Sequence, residues 1–182
     1  LTILEERTVG PGLGADSVAA GKIACIVAFL AIIVFMVLSY GIFGLVANLS
    51  LIVNLILIGG VLSLLQATLT LPGIAGIVLT IGMAVDANVL IFERIREEIT
   101  NGKSPIAAVN NGYSKAIATI IDANLTTLIA AVLLFSFGSG PVKGFSVTLG
   151  LGIISSMFTA ITLSKLIIFL WLRKSKPKFL PI

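Results

Sequence analysis

Two phrases pair an acid with an amide inside otherwise apolar sequence: VDANVLIFERIREE, with Asp86 and Asn88, and IIDANLTT, with Asp122 and Asn124. A third ionisable group, Lys165 in FTAITLSKL, lies in an equally apolar stretch. An ionised carboxylate at the centre of a membrane helix costs about 2.5 to 3.5 kcal/mol on insertion scales, so it persists where it is paired, neutral or useful. Desolvation raises a carboxyl pKa and a nearby ammonium lowers it, and an acid held between those influences can take up and release a proton. Asp86, Asp122 and Lys165 are therefore the candidate proton-coupling groups. The chain contains no histidine, which excludes imidazole relays and histidine metal sites. GLGAD near the N-terminus neither follows a strand nor opens a helix with a phosphate-binding lysine, so it is no nucleotide loop. No cofactor, metal or catalytic residue is expected, and the chain is not expected to be an enzyme.

The elements that must position these groups are transmembrane helices. Hydrophobic residues make up 58% of the 182 and charged residues 11%, with a mean hydropathy of +1.17. Each crossing consumes about 20 apolar residues, so no sizeable soluble domain is left over. The reading is an all-α polytopic membrane protein with five crossings, at about 21–40, 45–69, 72–92, 116–137 and 145–172. Residues 1–20 read as a polar lead-in from an extracytoplasmic region, 93–115 as a cytoplasmic loop and 173–182 as a basic tail. Within that loop Ser104 and Pro105 predict a helix start, with a short interfacial helix to about Tyr113. The chain opens at Leu1 without a signal-peptide pattern and reads as part of a longer protein. Cys25 lies in an apolar run and makes no internal disulfide.

Helix rise sets depth. Asp86 is seven residues from Glu93, and Asp122 is seven from Lys115, which places both acids about 10 Å from the interface those charges mark. Lys165 is eight residues from Arg173, about 12 Å by the same rise, so two acids and one amine share a layer. A step of two residues turns a helix by about 200°, so Asp86 and Asn88 face different neighbours, as do Asp122 and Asn124. Lys115, Thr119, Asp122 and Thr126 form one polar stripe, and Gly82, Asp86, Leu90 and Glu93 another face. Ser156, Ala160 and Ser164 at steps of four allow close helix packing.

Orientation follows from the short loops. The ERIREE side carries Arg94, Arg96, Lys103, Lys115, Arg173, Lys174, Lys176 and Lys178, and the other side Arg7, Lys22 and Lys143. The first side is the cytoplasmic one, which puts the N-terminus outside and the C-terminus inside. The same bias explains the net charge of +4, so no nucleic-acid partner is expected.

Plainer readings stand beside this one. Asp86 could be a fixed, paired or neutral acid that only holds helices together, and Asp122 with Lys165 a structural pair. Asn48, Asn54, Asn88 and Asn124 are expected to make interhelical hydrogen bonds. ERIREE is a solvated interfacial face in which Arg94 and Glu98 are spaced to pair. An intramembrane aspartyl protease would also need two acids at one depth. Those enzymes use YD and GxGD phrases, whereas Val85 and Ile121 precede the two acids here.

ERTVGPGLGADSVAAGKIA, DANVLIFERIREE, PIAAVNNGYSKAIATIIDANLTTLIAAVLL and GSGPVKGFSVTLGLGIISSMFTAI, in this order and spacing, resemble the C-terminal membrane half of the SecD branch of the SecD/SecF family. That family lies in the resistance-nodulation-division superfamily, and the resemblance covers nearly the whole chain. It implies a membrane subunit of the bacterial Sec protein-export machinery in the plasma membrane. It further implies pairing with SecF, association with the SecYEG channel and use of the proton motive force to draw a translocating preprotein outward. The five crossings would be family helices two to six, with the first helix and the extracytoplasmic head absent from this sequence. Asp86 matches the acidic position implicated in proton coupling, and Asn88, Phe92, Glu93 and Arg94 belong to the same motif and its cytoplasmic helix end. Asp122 lies in the phrase typical of the family's fifth helix, and Lys165 stands where a basic residue is expected.

Overall fold

The computed structural model describes residues 11–67, 70–175, 177 and 180. Arg7 and the first ten residues of the expected lead-in lie outside that range, as do Lys176 and Lys178 of the basic tail. The described residues are helical with short connections: α1 is Pro11–Leu64, α2 Leu71–Thr100, α3 Pro105–Phe137, α4 Pro141–Phe158 and α5 Ser164–Ser175. Thr159–Leu163 form a π-turn that joins α4 to α5 in one helical run.

Among the described residues four helical runs, not the expected five, are long and apolar enough to cross a membrane: Val18–Leu64, Leu71–Thr100, Pro105–Phe137 and Pro141–Ser175. The difference lies in α1, which holds two helical arms joined at a single non-helical residue in the GIFG turn, so that both arms fall within one long run. Gly41 has φ 52° and ψ −120°, a backbone conformation that glycine reaches without a Cβ penalty. Residues 33 and 48 would be about 22 Å apart along a straight helix. Yet Asn48 Nδ2 donates to the Ile33 carbonyl at 3.2 Å, so the two arms of α1 lie side by side. Gly44 has no room for a Cβ because the Met36 carbonyl occupies that place.

The second crossing, expected to residue 69, stops short at Leu64, whereas the other boundaries shift towards longer helices. α1 begins at Pro11 rather than near residue 21, a position where proline is pre-set for helix and its missing N–H costs nothing. The charged ERIREEIT segment, expected as loop, continues α2 to Thr100. The interfacial helix expected before Tyr113 is the first part of α3, which passes through Gly112 without a break. At the start of α2 the Thr70 hydroxyl accepts a bond from Gly73 N–H at 3.2 Å, and a proline occupies the first turn. Ser104 and Pro105 open α3 as expected, although the Ser104 side chain makes no cap bond. α4 starts at Pro141, four residues earlier than expected, after Gly140 at φ 49°.

Packing inside a bilayer cannot draw on a hydrophobic difference between protein and lipid tails, so close approach of backbones matters. α2 and α4 run parallel and meet through small residues, Gly73, Gly76 and Thr80 against Gly144, Thr148 and Gly152. α2 and α3 meet where Gly112 rests on the backbone of Ile95. Ser156, Ala160 and Ser164 are all buried, as their spacing predicts. Near the ERIREE end, Phe92 packs on Tyr40 and Phe43, with centroids 5.5 and 5.4 Å away, and Phe43 meets Trp171 edge-on at 6.1 Å. Most of the remaining large apolar side chains face outward, as a lipid-facing surface requires.

Candidate functional site

The DAN phrase of α2 splits as its 200° step demands. Ala84, Val85, Ala87 and Asn88 are buried, while Asp86 is exposed on the outer face of the bundle. Asn88 is 2% exposed, and its Nδ2 donates to the Ala84 carbonyl of its own helix at 3.3 Å. Asp86 lies six residues above Phe92, about 9 Å along α2 from the aromatic cluster. Gly82, one turn further from that cluster on the same side, has nothing within 4 Å of where a Cβ would sit. The acid therefore stands beside a shallow opening in the helix surface.

Asp122 is also exposed, together with Lys115, Thr119 and Thr126, so the polar stripe of α3 runs along the outside of the bundle. Lys165 is half-buried. Its Nζ lies 5.5 Å above the Tyr113 ring and 6.0 Å from the Phe169 ring, an arrangement in which aromatic faces rather than a carboxylate hold the ammonium. Among the described residues, neither acid forms an ion pair with it. Similar depth therefore does not gather these three groups into one pocket.

The charges at the ERIREE end are treated differently. Tyr40 donates its hydroxyl proton to Glu93 Oε1 at 2.9 Å, and Arg96 Nη1 donates to the same oxygen at 2.8 Å. The Arg96 guanidinium also lies 5.3 Å above the Tyr40 ring, while Nη2 donates to the Ser39 carbonyl. This cluster ties α2 to the foot of the first arm of α1. Arg94 pairs with Glu97 at 2.8 Å, not with Glu98 as its spacing predicts. Glu98 has turned inward: its side chain is 4% exposed, and it accepts from Lys115 Nζ at 2.5 Å and from Asn111 Nδ2 at 3.1 Å. Sequence spacing within α2 could not find these partners because they sit on α3.

Tyr113 is another residue the sequence reading passed over. It is fully buried, and its hydroxyl lies 2.7 Å from Ser164 Oγ, which itself donates to the Ala160 carbonyl. Since Ser164 spends its one proton on that carbonyl, Tyr113 donates to Ser164. Among the described residues, Asn48 alone of the four asparagines expected to bridge helices does so, from one arm of α1 to the other. Asn88 and Asn124 bond to their own helices, at Ala84 and Ile120. Asn54 is fully buried, and neither of its amide atoms has a partner among the described residues.

Comparison with known proteins gives these positions a family setting. Residues 1–174 match the family described as protein export membrane protein SecD/SecF, C-terminal. The chain is 59% identical over 178 residues to the protein translocase subunit SecD of Rickettsia prowazekii, an alignment covering 98% of this chain and 34% of the relative. It is 60% identical over 168 residues to that of Magnetococcus marinus, covering 92% of this chain and 32% of the relative. Its fold resembles the crystal structure of SecDF, a translocon-associated membrane protein from Thermus thermophilus, with a TM-score of 0.91 and 43% identity. That likeness covers 94% of this chain and 24% of the other. The chain thus spans about a third of the length of these curated relatives.

Proposed function

The chain belongs to the SecD/SecF protein-export membrane family, and from that premise we propose that it is the proton-handling membrane portion of a Sec translocase accessory subunit. In this reading Asp86 takes up and releases a proton during passage across the plasma membrane, and the energy gained promotes late-stage movement of a preprotein through SecYEG. No chemistry is performed on the preprotein. SecF is the partner that covers the α2 face bearing Asp86. The two arms of α1 each cross the bilayer, which makes five crossings with the N-terminus outside and the basic C-terminal end in the cytoplasm.

The observation that carries this reading is the outward placement of Asp86 on an apolar span. A carboxylate facing hydrocarbon is expensive, so this face calls for a protein neighbour, a proton, or both in turn. Asn88 turns inward and bonds to its own helix, so it does not satisfy the acid. Lys165 is occupied by aromatic rings, which leaves a counter-charge for Asp86 to come from the partner. The exposed stripe of Asp122, Thr119 and Thr126 supplies a second polar track on α3, and Asp122 is assigned to the same proton path. Arg94, Glu93 and Phe92 hold the cytoplasmic end of α2, with Phe92 buried and Glu93 tied to Tyr40 and Arg96.

Asp86→Asn in the full-length protein tests the assignment. It should abolish the part of export that depends on the proton motive force while leaving assembly with SecF intact. Full proton-dependent stimulation by the variant would overturn the reading and leave a packing scaffold. A variant that loses assembly together with export would assign Asp86 to the interface instead of the proton.

A further inference from the structure

At the ERIREE end an apolar groove of about 670 Å³ lies between the start of α3 and α5. Its walls are Pro105 and Ile106 on one side and Leu166, Phe169 and Leu170 on the other. Leu172, Arg173 and Pro177 also line it, and the Arg173 side chain is exposed. Exposed Lys174 follows Arg173 in sequence, and exposed Lys103 precedes Ser104, which also lines the groove. Leu166 and Arg173 are seven residues apart on one helix, so the groove grades from apolar to cationic over about 10 Å. That is the dimension over which a phospholipid passes from acyl chain to phosphate. A soluble peptide would have little use for the apolar length, and a lipid without net charge little use for the basic end.

We propose that this groove is a binding site for an anionic phospholipid, with one acyl chain along Ile106, Leu166 and Leu170 and its phosphate against Arg173. Charge complementarity selects the occupant: basic groups at a membrane surface favour anionic headgroups, and basic pockets between transmembrane helices are suited to them. Guanidinium matches the phosphate geometry through paired donors, which a lysine at the same place would not reproduce. The bound lipid would fill the space between α3 and α5 and brace the run that carries Lys165 over Tyr113. This inference rests on the membrane setting and not on the proton reading.

The test is native mass spectrometry of the full-length protein, extracted from bilayers of equal parts dioleoylphosphatidylglycerol and dioleoylphosphatidylcholine. Phosphatidylglycerol should be retained in preference. Arg173→Gln should lower that preference about fivefold, the effect of one basic group near an anionic surface. Ile106→Trp, which fills the groove without changing charge, should reduce retention of both lipids. Equal retention of the two lipids, or a preference that both variants leave intact, would overturn the proposal. So would displacement of the lipid by millimolar inorganic phosphate alone, which would mark a free-anion site. A benzophenone side chain at position 106, photolysed in cells, reads the occupant directly. A phospholipid adduct is the expected product, and adducts formed only with a second copy or another protein would sink the idea whatever the variants do.

Discussion

Two stretches of α2 hold their acids in opposite ways. Glu93 and Glu98, at the ERIREE end, find partners on α1 and α3 within the bundle. Asp86, about two turns deeper, points out of it. The costs run the other way, since water and headgroups near a helix end would tolerate a free carboxylate and hydrocarbon at the depth of Asp86 would not. The contrast says that the end of the helix is built to be self-sufficient and its middle is built to be completed by something else. A rigid anchor beside an unfinished face is what a subunit needs if a partner or a proton acts on that face while the rest stays still.

The largest effect expected from breaking this contrast belongs to Asp86→Leu. If the acid contributes nothing to packing within the chain, its replacement removes about 3 kcal/mol of insertion cost. The chain reconstituted in bilayers should then melt no lower than the unaltered one, while proton-dependent export by the full-length protein disappears. A fall in melting temperature would show that Asp86 has an internal partner and that the two ends of α2 do not differ.

Next in size is Gly112→Ala. The added methyl carbon would lie 2.9 Å from the backbone nitrogen of Ile95, and backbone cannot swing aside as a side chain can. Overpacking of this kind costs about 1 to 3 kcal/mol, and the upper part of that range is expected here. Because Gly112 lies between Asn111 and Lys115, the displacement should also pull both donors away from Glu98. Thermal unfolding of the reconstituted chain should show the loss, and solvent labelling of the Glu98 carboxyl should rise. An unchanged melting temperature would mean that the anchor is soft.

What could be read in the sequence follows from what is local. Helix rise and turn fixed the place of Asp86 along α2 and its separation from Asn88, because both depend only on position along one helix. The small-residue stripe of Ser156, Ala160 and Ser164 was legible for the same reason. Partners across helices were not. Arg94 was expected to meet Glu98 because a step of four is favourable on an isolated helix, but Lys115 and Asn111 of α3 reach Glu98 and leave Arg94 to Glu97. Asp86, Asp122 and Lys165, read as one layer by helix rise, form no ion pair with one another among the described residues, since equal depth says nothing about which way each helix is rotated. The clue to Lys165 was Tyr113, an aromatic residue with a hydroxyl in an α3 segment that had been read as interfacial. The reversal at Gly41 was visible as a turn, but not that one residue suffices for it, with the next turn of helix starting at once.

The smallest effect is the most discriminating, because its sign should change with assembly. Gly82 lies one turn from Asp86 in a helix interior, where glycine costs about 0.5 to 1 kcal/mol relative to alanine. No atom lies within 4 Å of where its Cβ would be, so Gly82→Ala should stabilise the chain alone by roughly that amount. A glycine at this place is otherwise wasteful, unless it lets another helix approach Asp86 closely, as small residues do at transmembrane interfaces. In the full-length protein assembled with SecF, the same substitution should therefore weaken association, and Gly82→Leu should weaken it further. Gly59→Ala serves as the control, since it too meets nothing within 4 Å but lies on α1 away from Asp86. It should stabilise the chain and leave assembly alone. If Gly82→Ala behaves like Gly59→Ala in the complex, the face around Asp86 opens to lipid or water, and the helix middle is unfinished for a proton alone.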